Sequence, residues 1–194
     1  MSVLRRSAPW PLDTSFDTPY HARVKFLAGL LIACACACSV AWAQAPSAGS
    51  VSSPALTVGG DVKQSLSLSL ADIGALPRQI VKATNEHTGK QETYQGVAVA
   101  ELLKRAGVPQ GTQLRGADLA AYLRAEGADG YVVTFSLAEL DSSFQDSDIL
   151  VADTLDGQAL PDKVGPLRLI VPHDKRPGRW VRELRSLTVV KLSK

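Results

Sequence analysis

The sequence predicts an α+β fold, a single domain with a mixed sheet and short helices, and three observations lead to this class. Strand-like segments outnumber helix-like ones and do not alternate with them regularly, which argues against a wound parallel sheet. Ser65–Leu68 alternates strictly between serine and leucine, as a half-buried strand does. Val97–Ala106 instead places its apolar residues on one helical face. A length of 194 residues suffices for one domain with its own hydrophobic core.

The strands are predicted from apolar or alternating runs bounded by turn residues. They begin at Leu56 and continue with Ser65–Leu68, Ile80–Thr84, Val132–Phe135, Ile149–Ala152, Leu167–Val171 and Leu187–Leu192. Leu167–Val171 is predicted to be a central strand because it is almost wholly apolar, and Pro172 ends it. Leu114–Glu126 stays ambiguous, since its alanines and leucines favour a helix while the glycine-containing turn that follows favours a strand.

Two helices are predicted from the residues at their ends. Ser69 and Asp72 have the spacing of a capping box, which predicts a short helix that stops before the next proline. Val97–Ala106 is the clearer helix, because Gly107 occupies a C-terminal cap position and Pro109 prevents continuation.

The N-terminal region predicts export. Basic residues precede an uncharged run, Phe26–Ala43, which ends Ala41-Trp42-Ala43, and this combination is typical of a secretory signal peptide. We therefore expect residues 1–43 to be a signal peptide, residues 44–54 a flexible leader and residues 55–194 the domain. This organisation places the mature protein in the periplasm. Leu31–Cys34 also resembles a lipobox, so a lipoprotein anchored at Cys34 is the alternative.

Cysteine usage and charge exclude several functions. The three cysteines, Cys34, Cys36 and Cys38, all lie in the predicted signal peptide, so the mature domain has no thiolate for catalysis or metal binding. The formal net charge of +2 argues against a nucleic-acid partner. The pair Glu86-His87 offers too few ligands for a metal site, and no metal ligands are predicted.

Three motifs in order carry a family resemblance. They are "YQGVAVAELLKRAGV" from Tyr94, "DGYVVTFSLAEL" from Asp129 and "DKVGPLRLIVPHDKRPGRWVRELRSLTVVKL" from Asp162. Together they resemble the molybdopterin-binding domain of sulfite-oxidase-like oxidoreductases. The resemblance implies the sulfite-oxidase-like molybdopterin-binding fold and a molybdopterin cofactor, with molybdenum held by the dithiolene and one protein cysteine. It also implies a periplasmic or membrane redox partner.

The resemblance places contacts to the cofactor, or to a small oxyanion, at the strand beginning near Leu167 and in the loop after it. The implied residues are Arg168, His173, Lys175, Arg176, Arg179 and Trp180. Guanidinium groups bind phosphate or sulfite oxygens in a bidentate manner. Arg168 lies in an apolar strand, so we expect it to face a pocket or to pair with a carboxylate such as Asp153 or Asp156. For His173–Arg176, a solvated turn is the alternative to a binding loop.

One position departs from the family pattern. The family's metal-binding cysteine follows the strand that ends here at Ala83-Thr84, and Asn85-Glu86-His87 follow instead. Thiolate is the soft ligand that suits this metal, although other molybdenum families accept serine or aspartate, which leaves Thr84 or Glu86 as alternatives. Two functions therefore stay open, and with them the question of enzymatic activity. One is a molybdopterin-dependent oxidoreductase with unassigned catalytic residues, and the other is a cofactor-free module that binds an anion or a partner protein.

Overall fold

The computed structural model describes residues 53–85, 88–146 and 148–192. The predicted signal peptide, its cysteines, most of the predicted leader and the pair Glu86-His87 lie outside these ranges. Within the described ranges, no helix is both long and apolar enough to cross a membrane.

Ten strands and a few short helices make up the described part of the chain. The strands are β1 (Leu56–Gly60), β2 (Leu66–Leu68), β3 (Gln79–Thr84), β4 (Gln91–Ala98), β5 (Tyr122–Gly127), β6 (Val132–Ser136), β7 (Leu150–Leu155), β8 (Gln158–Ala159), β9 (Arg168–Ile170) and β10 (Leu184–Val190). The α-helices are α1 (Leu70–Gly74) and α2 (Val99–Arg105). Short 3-10 helices lie at Gly111–Gln113, Gly116–Ala120, Leu137–Leu140 and Pro177–Arg179.

The strands form two sheets that share one hydrophobic core. The first is a five-stranded sheet in the order β2-β1-β10-β5-β6, in which β1 runs parallel to β10 and the other pairs are antiparallel. The second has the order β3-β4-β7-β8, and β9 pairs with β7 beside β8. The first sheet is therefore mixed and the helices are short, which confirms the predicted fold class.

Local sequence signals place both α-helices. Ser69 caps α1 as predicted, because its hydroxyl accepts a hydrogen bond from the Asp72 amide at 3.2 Å and its amide donates to the Asp72 carboxylate at 2.8 Å. The second helix begins at Val99 rather than at Val97, because Val97 and Ala98 still pair with β7 as the end of β4. The ambiguous segment Leu114–Glu126 becomes a 3-10 turn followed by β5.

The prediction that Leu167–Val171 forms a central strand is wrong. Among the described strands, β9 pairs with β7 alone. A loop covers its other edge, since the Leu169 amide donates to the Val181 carbonyl at 2.8 Å and the Leu184 amide to the Leu167 carbonyl at 2.9 Å. This loop buries the strand's apolar residues, so its composition resembles that of a central strand.

Asp141 is a buried carboxylate that ties two loops together, and its substitution tests this role. Its side chain is 5% exposed and accepts hydrogen bonds from the amides of Gly111 and of Ser143, the latter at 2.8 Å. Burial acts to raise the pKa of Asp141, but these hydrogen bonds outweigh it and hold the pKa below its usual value. A lowered pKa stabilises the fold above the unfolded-state pKa, and this contribution is lost as pH falls through the folded-state pKa.

We expect Asp141→Asn to lower the free energy of unfolding at pH 7 by about 1–3 kcal/mol, because a buried amide accepts these bonds less well. We also expect the variant to lose less of its stability than the parent protein when pH falls below 4 or so. Urea unfolding at several pH values measures both effects, with the exposed Asp146→Asn as the control. Equal stability of the two variants at pH 7 would contradict the role of Asp141.

Candidate functional site

Arg168 is a partly buried cation that has no ion-pair partner among the described residues. It opens β9, and its guanidinium lies over the rings of Tyr94 and Trp180, at 5.9 and 5.1 Å from their centroids. Its Nη1 donates to the Tyr94 hydroxyl at 3.3 Å, while its buried Nε has no hydrogen-bond partner among the residues that the structure describes. No carboxylate in the described part of the chain forms an ion pair with it. A cation in this environment is costly unless something supplies the missing charge.

The predicted pairing of Arg168 with Asp153 or Asp156 is wrong. Asp153 instead pairs with Arg78, whose Nη1 lies 2.6 Å from Oδ2. Asp156 accepts a hydrogen bond from the Thr93 amide at 2.8 Å. Arg168 instead faces a pocket, which was the other expectation from the sequence.

A hydrogen-bonded chain of side chains orients Arg168. The Tyr94 hydroxyl donates to Glu92 Oε2 at 2.6 Å, and Asn85 Nδ2 donates to Glu92 Oε1 at 2.7 Å. Burial and the hydrogen bond to Glu92 raise the pKa of Tyr94 well above its usual value. Tyr94 thus stays a neutral phenol, whose oxygen can accept the hydrogen bond from Arg168 while its proton points to Glu92.

A cleft lies beside this chain, at the end of β3. It consists of adjacent cavities of about 60 and 320 Å³ that share Thr84, Pro177 and Trp180 as walls. We call it the strand-end cleft. Arg168 lines the smaller cavity and Lys175 the larger one. A wider cavity of about 670 Å³ lies elsewhere, next to β8, and contains none of the predicted site residues in its lining.

Trp180, at the end of the predicted binding loop, packs against the residues around Arg168. Its ring meets that of Tyr94 edge to face at a centroid distance of 5.7 Å, and its Nε1 donates to the Val171 carbonyl at 2.9 Å. The buried indole therefore holds the end of the loop against Arg168 and reports on the cleft.

Arg179 lies in an ion-pair network of its own. Its Nε and Nη2 donate to both oxygens of Asp174, at 2.8 and 2.6 Å, and its Nη1 donates to Glu139 at 2.7 Å. These hydrogen bonds raise the pKa of the guanidinium, which also lies 4.7 Å from the Phe135 ring centroid. The network holds the loop in place, and a role for Arg179 in cofactor binding stays a prediction.

The remaining predicted residues lie at the surface. His173 is exposed and its Nε2 lies 3.2 Å from Asp148 Oδ2, in a shallow pocket away from Arg168. Arg176 is exposed, next to the 3-10 turn at Pro177–Arg179. The structure thus brings Arg168, Lys175 and Trp180 to one cleft and places His173 and Arg176 outside its lining.

Sequence analysis missed the residues that orient Arg168. Tyr94 and Glu92 belong to β4, which was not predicted because Gln91–Ala98 is largely polar in its first half. The available signal in the sequence was a tyrosine two residues after a glutamate, a spacing that puts both side chains on one face of a strand. Only the pairing of β4 between β3 and β7 turns these side chains towards β9.

Comparison with solved structures identifies the class of fold. The chain is similar to the sulfane dehydrogenase SoxCD from Paracoccus pantotrophus, with a TM-score of 0.54 and 23% sequence identity. The match covers 69% of this chain and 37% of that one, so this chain spans well under half of the length of its relative. No curated protein sequence matches the chain. The domain has the sulfite-oxidase-like molybdopterin-binding fold.

The family follows from the sequence match. Residues 45–194 match the family model described as "Oxidoreductase molybdopterin binding domain". The chain belongs to this family, which confirms the resemblance that the three motifs carried.

The donor chemistry around the strand-end cleft does not fit a cysteine-held molybdenum centre. Thr84 ends β3 beside the cleft and offers a neutral hydroxyl, which is a poor substitute for a thiolate. The described residues include no cysteine and no group of three or more histidine, cysteine, aspartate or glutamate side chains that could hold a metal ion. Arg168 and Lys175 are suited to an anion instead.

Proposed function

We propose that this chain is a cofactor-free member of its family that binds a small oxyanion in the strand-end cleft. The single observation that carries the proposal is Arg168, a partly buried guanidinium with no ion-pair partner in the described part of the chain. A bound anion would supply the charge that the described residues do not, and the guanidinium is a planar group suited to bidentate contacts with it.

The surroundings of Arg168 favour this role over a purely structural one. The rings of Tyr94 and Trp180 lie against one side of the partly buried guanidinium, which limits its contact with water, so its attraction for an anion is stronger than it would be in bulk solvent. The chain through Tyr94 and Glu92 holds the group in one orientation before a ligand arrives, which reduces the entropy lost on binding. Lys175 adds a second cation beside Thr84.

A molybdopterin-dependent oxidoreductase is the second candidate, and family membership is the observation that favours it. In that case Arg168 and Lys175 would bind the anionic part of the cofactor, and Thr84 would stand near the metal. The cofactor would supply the redox chemistry and pass electrons to a periplasmic or membrane partner.

The proposal includes export to the periplasm. The basic flank, the apolar run Phe26–Ala43 and the small-x-small ending support it. A lipid anchor at Cys34 is the alternative form of the same export.

Metal analysis and an anion titration distinguish the two candidate functions. We expect protein purified from its own host to contain no stoichiometric molybdenum or pterin. The full chain with Trp10→Phe and Trp42→Phe keeps Trp180 as its sole tryptophan. Sulfite or phosphate should change its fluorescence in a saturable manner, because the indole lies next to Arg168.

Stoichiometric molybdenum would contradict the cofactor-free proposal and favour the oxidoreductase. A fluorescence signal that no anion changes would contradict anion binding at Arg168. Chloride at matched ionic strength is the control for a general salt effect.

A further inference from the structure

A second cavity lies next to the strand-end cleft and shares Arg168, Pro177 and Trp180 with it. Its volume is about 270 Å³, and its remaining walls are Asp129, Tyr131, Gly178 and Arg182. We call it the Tyr131 pocket. It is large enough for a tetrahedral oxyanion and small for most organic cofactors.

The Tyr131 pocket has an excess of positive charge. Arg182 is exposed and Arg168 is partly buried, and neither forms an ion pair with the described residues. By contrast, Arg78, Arg124 and Arg179 each pair with a carboxylate. Two guanidinium groups that line one concave site and have no ion-pair partner among the described residues match a doubly charged oxyanion.

Asp129 adds a carboxylate to the lining of the Tyr131 pocket. Its Oδ1 accepts a hydrogen bond from the Tyr131 amide at 3.0 Å, and its other oxygen has no hydrogen-bond partner in the described part of the chain. A carboxylate in an anion pocket repels a ligand that offers only acceptor oxygens. It favours a ligand that can donate a proton to it, because an ionised carboxylate only accepts hydrogen bonds.

The walls of the pocket are held in place. The Tyr131 hydroxyl donates to the Gly178 carbonyl, which joins the turn after β5 to the 3-10 turn at Pro177–Arg179. The Trp180 amide donates to the Pro177 carbonyl at 3.0 Å and closes that turn. The Tyr131 hydrogen bond therefore connects the turn that carries Asp129 to the 3-10 turn next to Trp180, whose ring lies against Arg168.

We propose that the Tyr131 pocket binds a tetrahedral dianion that still carries a proton, namely hydrogen phosphate or its arsenate analogue. Arg168 and Arg182 meet the charged oxygens, and Asp129 accepts the hydrogen bond from the remaining hydroxyl. Sulfate and the dianion of a phosphomonoester carry no such proton at pH 8, so they leave Asp129 facing an acceptor. The inference rests on the proposed function, because Arg168 belongs to both cavities.

Competing titrations test the proposal. The full chain with Trp10→Phe and Trp42→Phe is titrated with inorganic phosphate, sulfate and methyl phosphate at pH 8 and constant ionic strength. We expect phosphate to bind about tenfold more tightly than sulfate or methyl phosphate, the difference that one hydrogen bond to a charged group makes.

Variants separate the two arginine contacts from the selectivity of Asp129. Arg182→Ala should lower phosphate affinity about tenfold. Arg185→Ala replaces an exposed arginine on β10 that is not part of the pocket lining, and it should leave the affinity unchanged. Asp129→Asn should bring the affinities for phosphate and sulfate close together, because an amide can donate to sulfate.

Equal affinity for phosphate and sulfate in the parent protein, or a ratio that Asp129→Asn does not change, would overturn the inference. If phosphate binds but Arg182→Ala and Asp129→Asn have no effect, the anion occupies the strand-end cleft, and only the proposed function stands. If no anion binds at all, both proposals fail.

Discussion

Replacing Arg168 with methionine is expected to lower oxyanion affinity at least about thirtyfold, or about 2 kcal/mol, since removing a desolvated charge from an ionic contact costs this much or more. Methionine retains an apolar side chain against the rings of Tyr94 and Trp180. The same substitution removes a partly buried cation that has no counter-charge in the described residues. We therefore expect the free energy of unfolding without anions to stay unchanged or to rise by about 1 kcal/mol.

A loss of oxyanion affinity without a loss of stability identifies Arg168 as a binding residue. If Arg168 were structural, its replacement would lower the free energy of unfolding. If it binds the anion, its replacement lowers the anion affinity and leaves the protein as stable as before. Titration of Trp180 fluorescence measures the first quantity and urea unfolding the second, with Arg185→Ala as the control and Arg168→Lys as the variant that keeps the charge. A drop in stability together with unchanged affinity would contradict the assigned role of Arg168.

Replacing Gly96 with alanine is expected to lower the free energy of unfolding by at least about 3 kcal/mol, because the added methyl group collides with backbone. Gly96 lies in β4 at the register shift against β7. A Cβ at this position would overlap the Val151 carbonyl oxygen and lie 2.6 Å from the Ala152 Cα. Both atoms belong to the neighbouring strand, so they cannot move away without breaking the sheet that carries Tyr94.

Gly74→Ala is the matched control for this substitution. Its added methyl group meets no atom within 4 Å, and Gly74 ends α1 without a positive φ. Alanine there should be neutral or stabilise the protein by up to about 1 kcal/mol. Urea unfolding compares the two variants, and a Gly96→Ala protein as stable as Gly74→Ala would show that β4 and β7 are further apart than described here.

Much of the fold could be predicted because its signals are local. The capping box of Ser69 and the alternation of Ser65–Leu68 depend on residues a few positions apart, and both elements form as expected. β4 could not be predicted, because its polar first half becomes a strand only through pairing with β3 and β7. The central position of β9 was mispredicted because the loop that follows the strand folds back and covers its other edge, which the local pattern does not show.

The candidate site was only partly predictable. The resemblance drew attention to Arg168, Lys175 and Trp180, which do line one cleft. It could not show that Arg179 is held by Asp174 and Glu139, because which carboxylate reaches which arginine depends on how the loops fold back.

The sequence by itself determined the fold class, the family and the lack of a cysteine after residue 38. These properties depend on local pattern, motif order and composition, which a single chain displays directly. Only the tertiary structure decided that Arg168 has two aromatic neighbours and no carboxylate partner within the described ranges. That outcome depends on the register of strands far apart in the chain, and a shift of one residue would turn Tyr94 to the opposite face of its sheet.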